Sequence, residues 1–200
     1  MGSFTLWSGL LVLITSSLLF VVVIGITVVA AAIYLVSLLN RLFTLRNSAE
    51  ATLAQVKVAM KKRLDLIGQL VETVKGYMRF ERETFENIAR LRSALFSAGV
   101  GGLGEVDRGS RAVLGTILAV AERYPDLKAS STVLNLMEAN RSVEDEIARQ
   151  RYTYNNIVQE FNIMCDTFPS RFLAQALKLA KLEYLRFEEE SEKPLRIEVQ

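Results

Sequence analysis

Residues 53–78 read LAQVKVAMKKRLDLIGQLVETVKGYM. The apolar positions Leu53, Val56, Met60, Leu64, Ile67, Val71, Val74 and Met78 follow one another at steps of three or four. An α-helix turns once in about 3.6 residues, so these side chains form one stripe. A strand would need alternation by twos, and none occurs here or elsewhere between the punctuation marks of the chain. Phe85, Ile88, Leu91 and Leu95 continue the spacing. One long amphipathic helix is therefore predicted from Asn40 to Ala98, about 85–90 Å at roughly 1.5 Å per residue. Gly68 and Gly76 weaken it locally, by about 1 kcal/mol each relative to Ala.

Toward the N-terminus the stripe runs into a different composition. Residues 1–40 hold 28 hydrophobic residues and no Asp, Glu, Lys or Arg, so all 46 charges fall in residues 41–200. A helix spanning a membrane needs about 20 apolar residues. Leu18 to Leu39, LLFVVVIGITVVAAAIYLVSLL, supplies them. Thr15-Ser16-Ser17 sets off an earlier apolar piece, Phe4 to Ile14, with Trp7 inside it. That piece either lengthens a tilted span or lies at the interface, where Trp is favoured. A second span is the less economical reading, because no Pro or Gly pair marks a turn. A cleaved signal peptide would carry a basic start and a shorter apolar core. The sequence therefore predicts an uncleaved anchor, and no stop signal separates it from the helix that follows.

Orientation follows from the flanks. Arg41, Arg46, Lys57, Lys61, Lys62 and Arg63 follow the span against the single acid Glu50. The excess of Lys and Arg predicts residues 41–200 on the cytoplasmic side of the inner membrane, in a single-pass arrangement. Arg41 and Arg46 would also meet anionic headgroups.

Toward the C-terminus, three marks divide the chain. Gly99 to Gly109 contains five glycines and reads as a loop, a flexible tip of the rod. Tyr124-Pro125-Asp126 and Phe168-Pro169-Ser170 interrupt helix at the residue before each proline. Between them lie three expected helices, Ser110 to Arg123, Ser130 or Ser131 to Asp166, and Ser170 to Phe187. The middle two are long enough together to run back along the first. The Phe168-Pro169 turn then lies close to the membrane, and Phe168 and Phe172 are expected at its interface. The fold class is all-α: an anchor at 1–40, an elongated antiparallel bundle of about four helices at 41–187, two long and two short, and an acidic tail at 188–200.

Composition excludes several chemistries. The chain has no His, so it has no imidazole base and no histidine ligand. The lone Cys165 excludes an intramolecular disulfide and a multi-cysteine metal site, and it reads as a packed thiol. A net charge of +2 supports no nucleic-acid partner. The glycine stretch lacks the Lys-Ser/Thr ending and the preceding strand of a phosphate-binding loop. The acidic groups Glu144-Asp145-Glu146 and Glu188-Glu189-Glu190 read as solvated charge rather than catalytic pairs. No catalytic residue, cofactor or metal is expected. Lys61, Lys62, Arg63 and Asp65 read as an ion-paired or solvated face. The pairs Tyr154-Asn155 and Phe161-Asn162 stand seven residues apart, so they share a helix face and read as packing specificity.

Together these motifs resemble the LemA family. The resemblance rests on the block around Arg46-Asn47, on Lys61-Lys62-Arg63-Leu64-Asp65, and on Leu70 to Lys75 followed by Gly76-Tyr77. It continues through Leu118 to Ala129, with Tyr124-Pro125-Asp126, then the Tyr154-Asn155 and Phe161-Asn162 pairs, then Phe168-Pro169-Ser170. It covers about residues 39–200. The chain departs at Gly68-Gln69, where the family usually has Pro-Asn, and at Leu39 and Phe161, where it commonly has Tyr. The apolar extension before Leu18 also exceeds the usual anchor. The resemblance implies an N-terminal span with an outside N-terminus and an all-helical cytoplasmic part, but no activity. A divergent branch of the family takes part in building magnetosome membranes, so membrane organisation is the implied analogy. The expected function is a membrane-anchored, self-associating scaffold with the bilayer and other copies as partners. The alternative is a monomeric adaptor for another membrane protein complex such as a protease or secretion system.

Overall fold

The computed structural model describes the backbone of residues 2–77 and 81–187 and the side chains of 18–77 and 82–187. The expectations for the Trp7 side chain and for the acidic tail lie outside these described parts. Helix α1 runs without a break over Gly2–Val74. It is followed by α2 (Glu81–Ser97), α3 (Leu103–Arg123), the single turn α4 (Pro125–Lys128), α5 (Ser131–Asp166) and α6 (Ser170–Ala176). No strand occurs among the described residues.

The membrane part and the bundle share α1. Its Leu18-to-Val36 portion is exposed throughout, and burial begins at Leu38 and Leu39. By length and composition it is apolar enough to cross a membrane, with mean hydropathy 2.9 over its most apolar window. Further along, the predicted stripe is the core: Val56, Met60, Leu64, Ile67, Val71 and Val74 are all buried. Side chains exposed to water at these positions would each forgo about 1.5–3 kcal/mol, which is why the polar faces turn outward.

Four ion pairs, one carbonyl contact and one ring contact define the topology. Asp65 of α1 pairs with Arg92 of α2 at 2.6 Å, and Lys57 Nζ donates to the Ala98 carbonyl at 2.7 Å. Later residues of α2 thus meet earlier residues of α1, so the two are antiparallel. Arg63 meets Asp107, and the rings of Tyr77 and Tyr124 stand 5.0 Å apart. Helix α3 therefore runs outward beside α1, and the expectation that it runs back together with α5 is corrected: α5 alone makes the return. Helix α5 returns, with Lys62 paired to Glu146 and Arg41 to Glu160. Two long helices, α1 and α5, and two short ones, α2 and α3, make the antiparallel bundle.

Three further expectations need correction. The helix predicted from Asn40 to Ala98 ends at Val74, passes through a turn at Lys75–Tyr77, and its remainder folds back as α2. The rod beyond the membrane is therefore about 50 Å long, the length of residues 41–74 at 1.5 Å each, and α5 matches it at about 54 Å. Periodicity cannot distinguish a helix that continues from one that re-enters in phase: Ile88, Leu91 and Leu95 are buried either way.

The glycine stretch is not a tip. It lies level with Lys57, in mid-rod, and from Leu103 onward it is helix. Two of its glycines permit close approach: a Cβ at Gly109 would stand 2.6 Å from Leu91 Cδ2, and one at Gly104 would stand 3.0 Å from the Arg186 carbonyl oxygen.

The last helix is the third correction. It spans Ser170–Ala176 rather than reaching Phe187. Residues 181–187 carry no helix and lie extended along α5.

Candidate membrane-proximal site and bundle clamps

The foot of the bundle is built where α1 leaves the apolar run. Leu42 is fully buried against a cluster of Phe161, Met164, Cys165 and Ala174, joined by Leu38, Leu45, Leu173 and Leu179. Arg41 pairs with Glu160 beside it, and Lys181 pairs with Asp166 at 2.8 Å. Helix α5 ends at Asp166, and Ser170 Oγ donates to the Thr167 carbonyl at 3.0 Å, closing the turn into α6. On this turn Phe168 is 81% exposed and Phe172 62%. Their rings meet edge to face with centroids 5.8 Å apart, a favoured aromatic geometry. Large aromatic side chains left outside a core this close to an apolar span mark an interaction surface.

Cys165 belongs to this foot as a packed side chain. Burial, and then the negative charge of Asp166, push its thiol above the ordinary range, while Lys181 acts in the opposite direction. Thiolate is the reactive form. Alkylation of Cys165 is accordingly expected to be far slower in the folded chain than in the urea-unfolded chain. Equal rates measured with iodoacetamide at neutral pH would show the thiol to be open.

Higher up, the two asparagines clamp the extended segment. Asn162 Nδ2 donates to the Leu182 carbonyl at 3.0 Å, and the Leu182 N–H donates back to Asn162 Oδ1 at 2.9 Å. Asn155 makes the same pair with Leu185, at 3.0 and 2.8 Å. The Tyr154 hydroxyl donates to the Glu183 carbonyl at 3.0 Å, and burial followed by the Glu183 charge holds that phenol above its usual range. The spacing is a length match. Seven residues of helix rise about 10.5 Å, and three residues of extended chain cover about 10 Å. The expected role of fixing register is thus exerted on a strap rather than on a partner helix. Leu185 and Phe187 of the strap are buried, and the Arg151 guanidinium lies 4.8 Å from the Phe187 ring centroid.

Replacing both Asn155 and Asn162 with Ala is expected to free the strap without melting α5. Loss of the paired bonds amounts to about 2 kcal/mol locally, or roughly 30-fold faster amide exchange at Leu182 and Leu185. Unchanged protection of those amides in hydrogen-exchange mass spectrometry would contradict the clamp.

In mid-rod Lys62, Arg63 and Asp65 are ion-paired while Lys61 is exposed, and Arg63 is not solvated. Arg63 is 1% exposed, with Nη2 2.6 Å from both Asp107 Oδ1 and Ser110 Oγ. Asp107 also accepts from Arg111 Nε at 3.0 Å, and Arg111 reaches Glu144 of α5 at 2.7 Å. This chain of charges ties α1, α3 and α5 together. Arg63 Nε and Nη1 and Asn140 Oδ1 are buried without a hydrogen-bond partner among the described residues. Asp107, Ser110 and Arg111 carried no motif, so sequence reading missed them. An arginine beside the apolar stripe, one position before Leu64, was the available signal for a buried partner.

The remaining motif residues are spread along the rod. Arg46 is exposed and pairs with Glu50 at 3.6 Å, and Asn47 is exposed beside it. Gly76 and Tyr77 form the far turn, where Tyr77 meets Tyr124. Pro125 opens α4, where its missing N–H costs nothing, and Asp126 occupies the favourable first turn. Shallow grooves of about 420 and 480 Å³ lie between α2 and α3, and neither gathers any of these motif residues. No group of three or more Asp, Glu or Cys suited to a metal occurs among the described residues.

Protein LemA of Metamycoplasma hominis is 31% identical over 142 residues, covering 70% of this chain and 65% of that protein. The chain thus spans just under two thirds of that relative. Magnetosome protein MamQ 2 of Paramagnetospirillum magneticum is 24% identical over 200 residues, covering 85% of this chain and 74% of the relative. Magnetosome protein MamQ of Magnetospirillum gryphiswaldense is 23% identical over 201 residues, covering 86% and 74%. The model of the LemA family matches residues 52–199, from the buried stripe of α1 through the clamped strap, whereas the residue motifs resembled it from about residue 39. With its apolar helix leading into this bundle, the chain is a membrane-associated helical protein, and it belongs to the LemA family.

Proposed function

We propose that this chain is a non-enzymatic scaffold whose copies associate to organise membrane. It lies in the inner membrane with the N-terminus outside and residues 41–200 in the cytoplasm. The observation that carries the reading is the continuity of α1, which passes from an exposed apolar span into the buried core without a joint. A rod rigidly joined to its anchor holds a fixed attitude to the bilayer, as a scaffold requires. The basic flank from Arg41 to Arg63 supports the orientation. Relatives named as magnetosome proteins support work at a membrane.

Support for association comes from apolar side chains left in water. Val58 of α1 and Phe96 of α2 are 66% and 71% exposed, next in sequence to Lys57 and two residues from Ala98, which bond to each other. Crosslinking in native membranes, followed by mass measurement in nanodiscs, tests the reading. Self-crosslinks and oligomers are expected. A strictly monomeric chain with one dominant foreign crosslink would overturn the scaffold in favour of the adaptor.

A further inference from the structure

We propose that the α5–α6 turn is a second membrane contact, a foot that inserts Phe168 and Phe172 into the lipid interface while Arg171 and Lys178 hold anionic headgroups. The inference rests on the anchoring of α1 and not on self-association.

The register sets the depth. The apolar run from Leu18 to Leu39 is about 33 Å long as helix, against a hydrocarbon core of about 30 Å. The edge of the hydrocarbon therefore falls within its last turn, near Leu38, where the bundle begins to bury α1. Arg41 meets Glu160 just beyond that edge. Helix α5 is antiparallel and continues from Glu160 to Asp166, about 9 Å further toward the span. Its end is then level with about Leu35, inside the apolar run. The turn that follows carries the two exposed rings to the same depth. Aqueous exposure of both rings would be costly, whereas aromatic side chains are favoured at the bilayer interface.

The charges agree with this depth. Asp166 is held by Lys181 and so presents a neutral pair. Arg171 and Lys178 are exposed and form no ion pair among the described residues. Arg171 stands in the first turn of α6 and Lys178 just past its end, and Leu173 and Ala174 of the same helix pack on the Leu42 cluster. Exposed cations within a few ångströms of an anionic surface gain from it, and long basic side chains can reach headgroups from just below them. A lipid surface is the one occupant continuous with what already surrounds α1. The foot lies beside the α1 axis and would add a second point of support to the attitude that α1 gives the bundle.

The test uses the full chain in nanodiscs, with Trp7→Phe removing the native indole and Phe168→Trp supplying a reporter. Nanodiscs of phosphatidylcholine alone are compared with others containing phosphatidylglycerol, each with lipid brominated near the top of the acyl chain. The Phe168→Trp indole is expected to emit at shorter wavelength than in water, to be quenched by bromine, and to be quenched more with phosphatidylglycerol. Arg171→Glu with Lys178→Glu is expected to remove only that additional quenching. Water-like emission without quenching would overturn the foot. Quenching indifferent to phosphatidylglycerol would overturn its basic half. An Ile24→Trp variant in the same background reports the span itself. If it is quenched while position 168 is not, the foot fails and the anchor stands; if neither is quenched, the anchor fails as well.

Discussion

Asp107→Ala is expected to cost about 3–5 kcal/mol, the penalty for leaving a buried charge without its partner. The stranded group is Arg63, which would retain only Ser110 Oγ among its side-chain acceptors. Arg63→Met is expected to cost less, although it removes the other half of the same pair. Asp107 would still be neutralised by Arg111, which is one-third exposed and itself held by Glu144. Methionine would also refill the apolar space left by the arginine stem. The asymmetry is the informative quantity. Thermal unfolding of the reconstituted chain should show a Tm lower by roughly 6–20 °C for Asp107→Ala, at about 2–4 °C per kcal/mol. Equal losses for the two variants would mean that Arg111 does not share the carboxylate.

Phe161→Ala is the second large effect, expected at about 3–5 kcal/mol for a buried aromatic reduced to a methyl group. Phe161 is fully buried against Leu42, at the junction that ties the ends of α5 and α6 to α1. The damage should therefore be local in pattern. Hydrogen exchange should accelerate over residues 160–176 while α2 and α3, which pack against the other core cluster, keep their protection. Uniform loss of protection would show the two clusters to be one cooperative unit.

The core stripe of α1 was legible because a helix imposes its period on whatever it buries. Every stripe position from Val56 to Val74 lies in the core. The turn at Lys75–Tyr77 was not legible because α2 resumes the same spacing and nothing forbids helix there; Gly76 only weakens it. The strap hid for a related reason. Leu179, Leu182 and Leu185 are spaced by threes, as a helix would space them. What keeps this segment extended is remote: its backbone N–H and C=O groups are taken by Asn155 and Asn162, so they are not free for helical bonds. The paired asparagines were visible, but their partner lay at the far end of the chain. Arg63 stood out in sequence as part of a charged block. Its burial depends on Asp107, which lies in a glycine-rich stretch with no charge motif of its own.

The jointless α1 makes rotation a conserved quantity along the molecule. Inserting one residue between Leu39 and Leu42 would turn the bundle by about 100° relative to the lipid-facing side of the span and raise it by about 1.5 Å. Inserting seven would raise it by about 10 Å yet return it to within about 20° of its original heading. The distance between anchor and bundle can therefore change smoothly only in steps that nearly close a whole number of turns. Any other step points the rod in a new direction around the membrane normal.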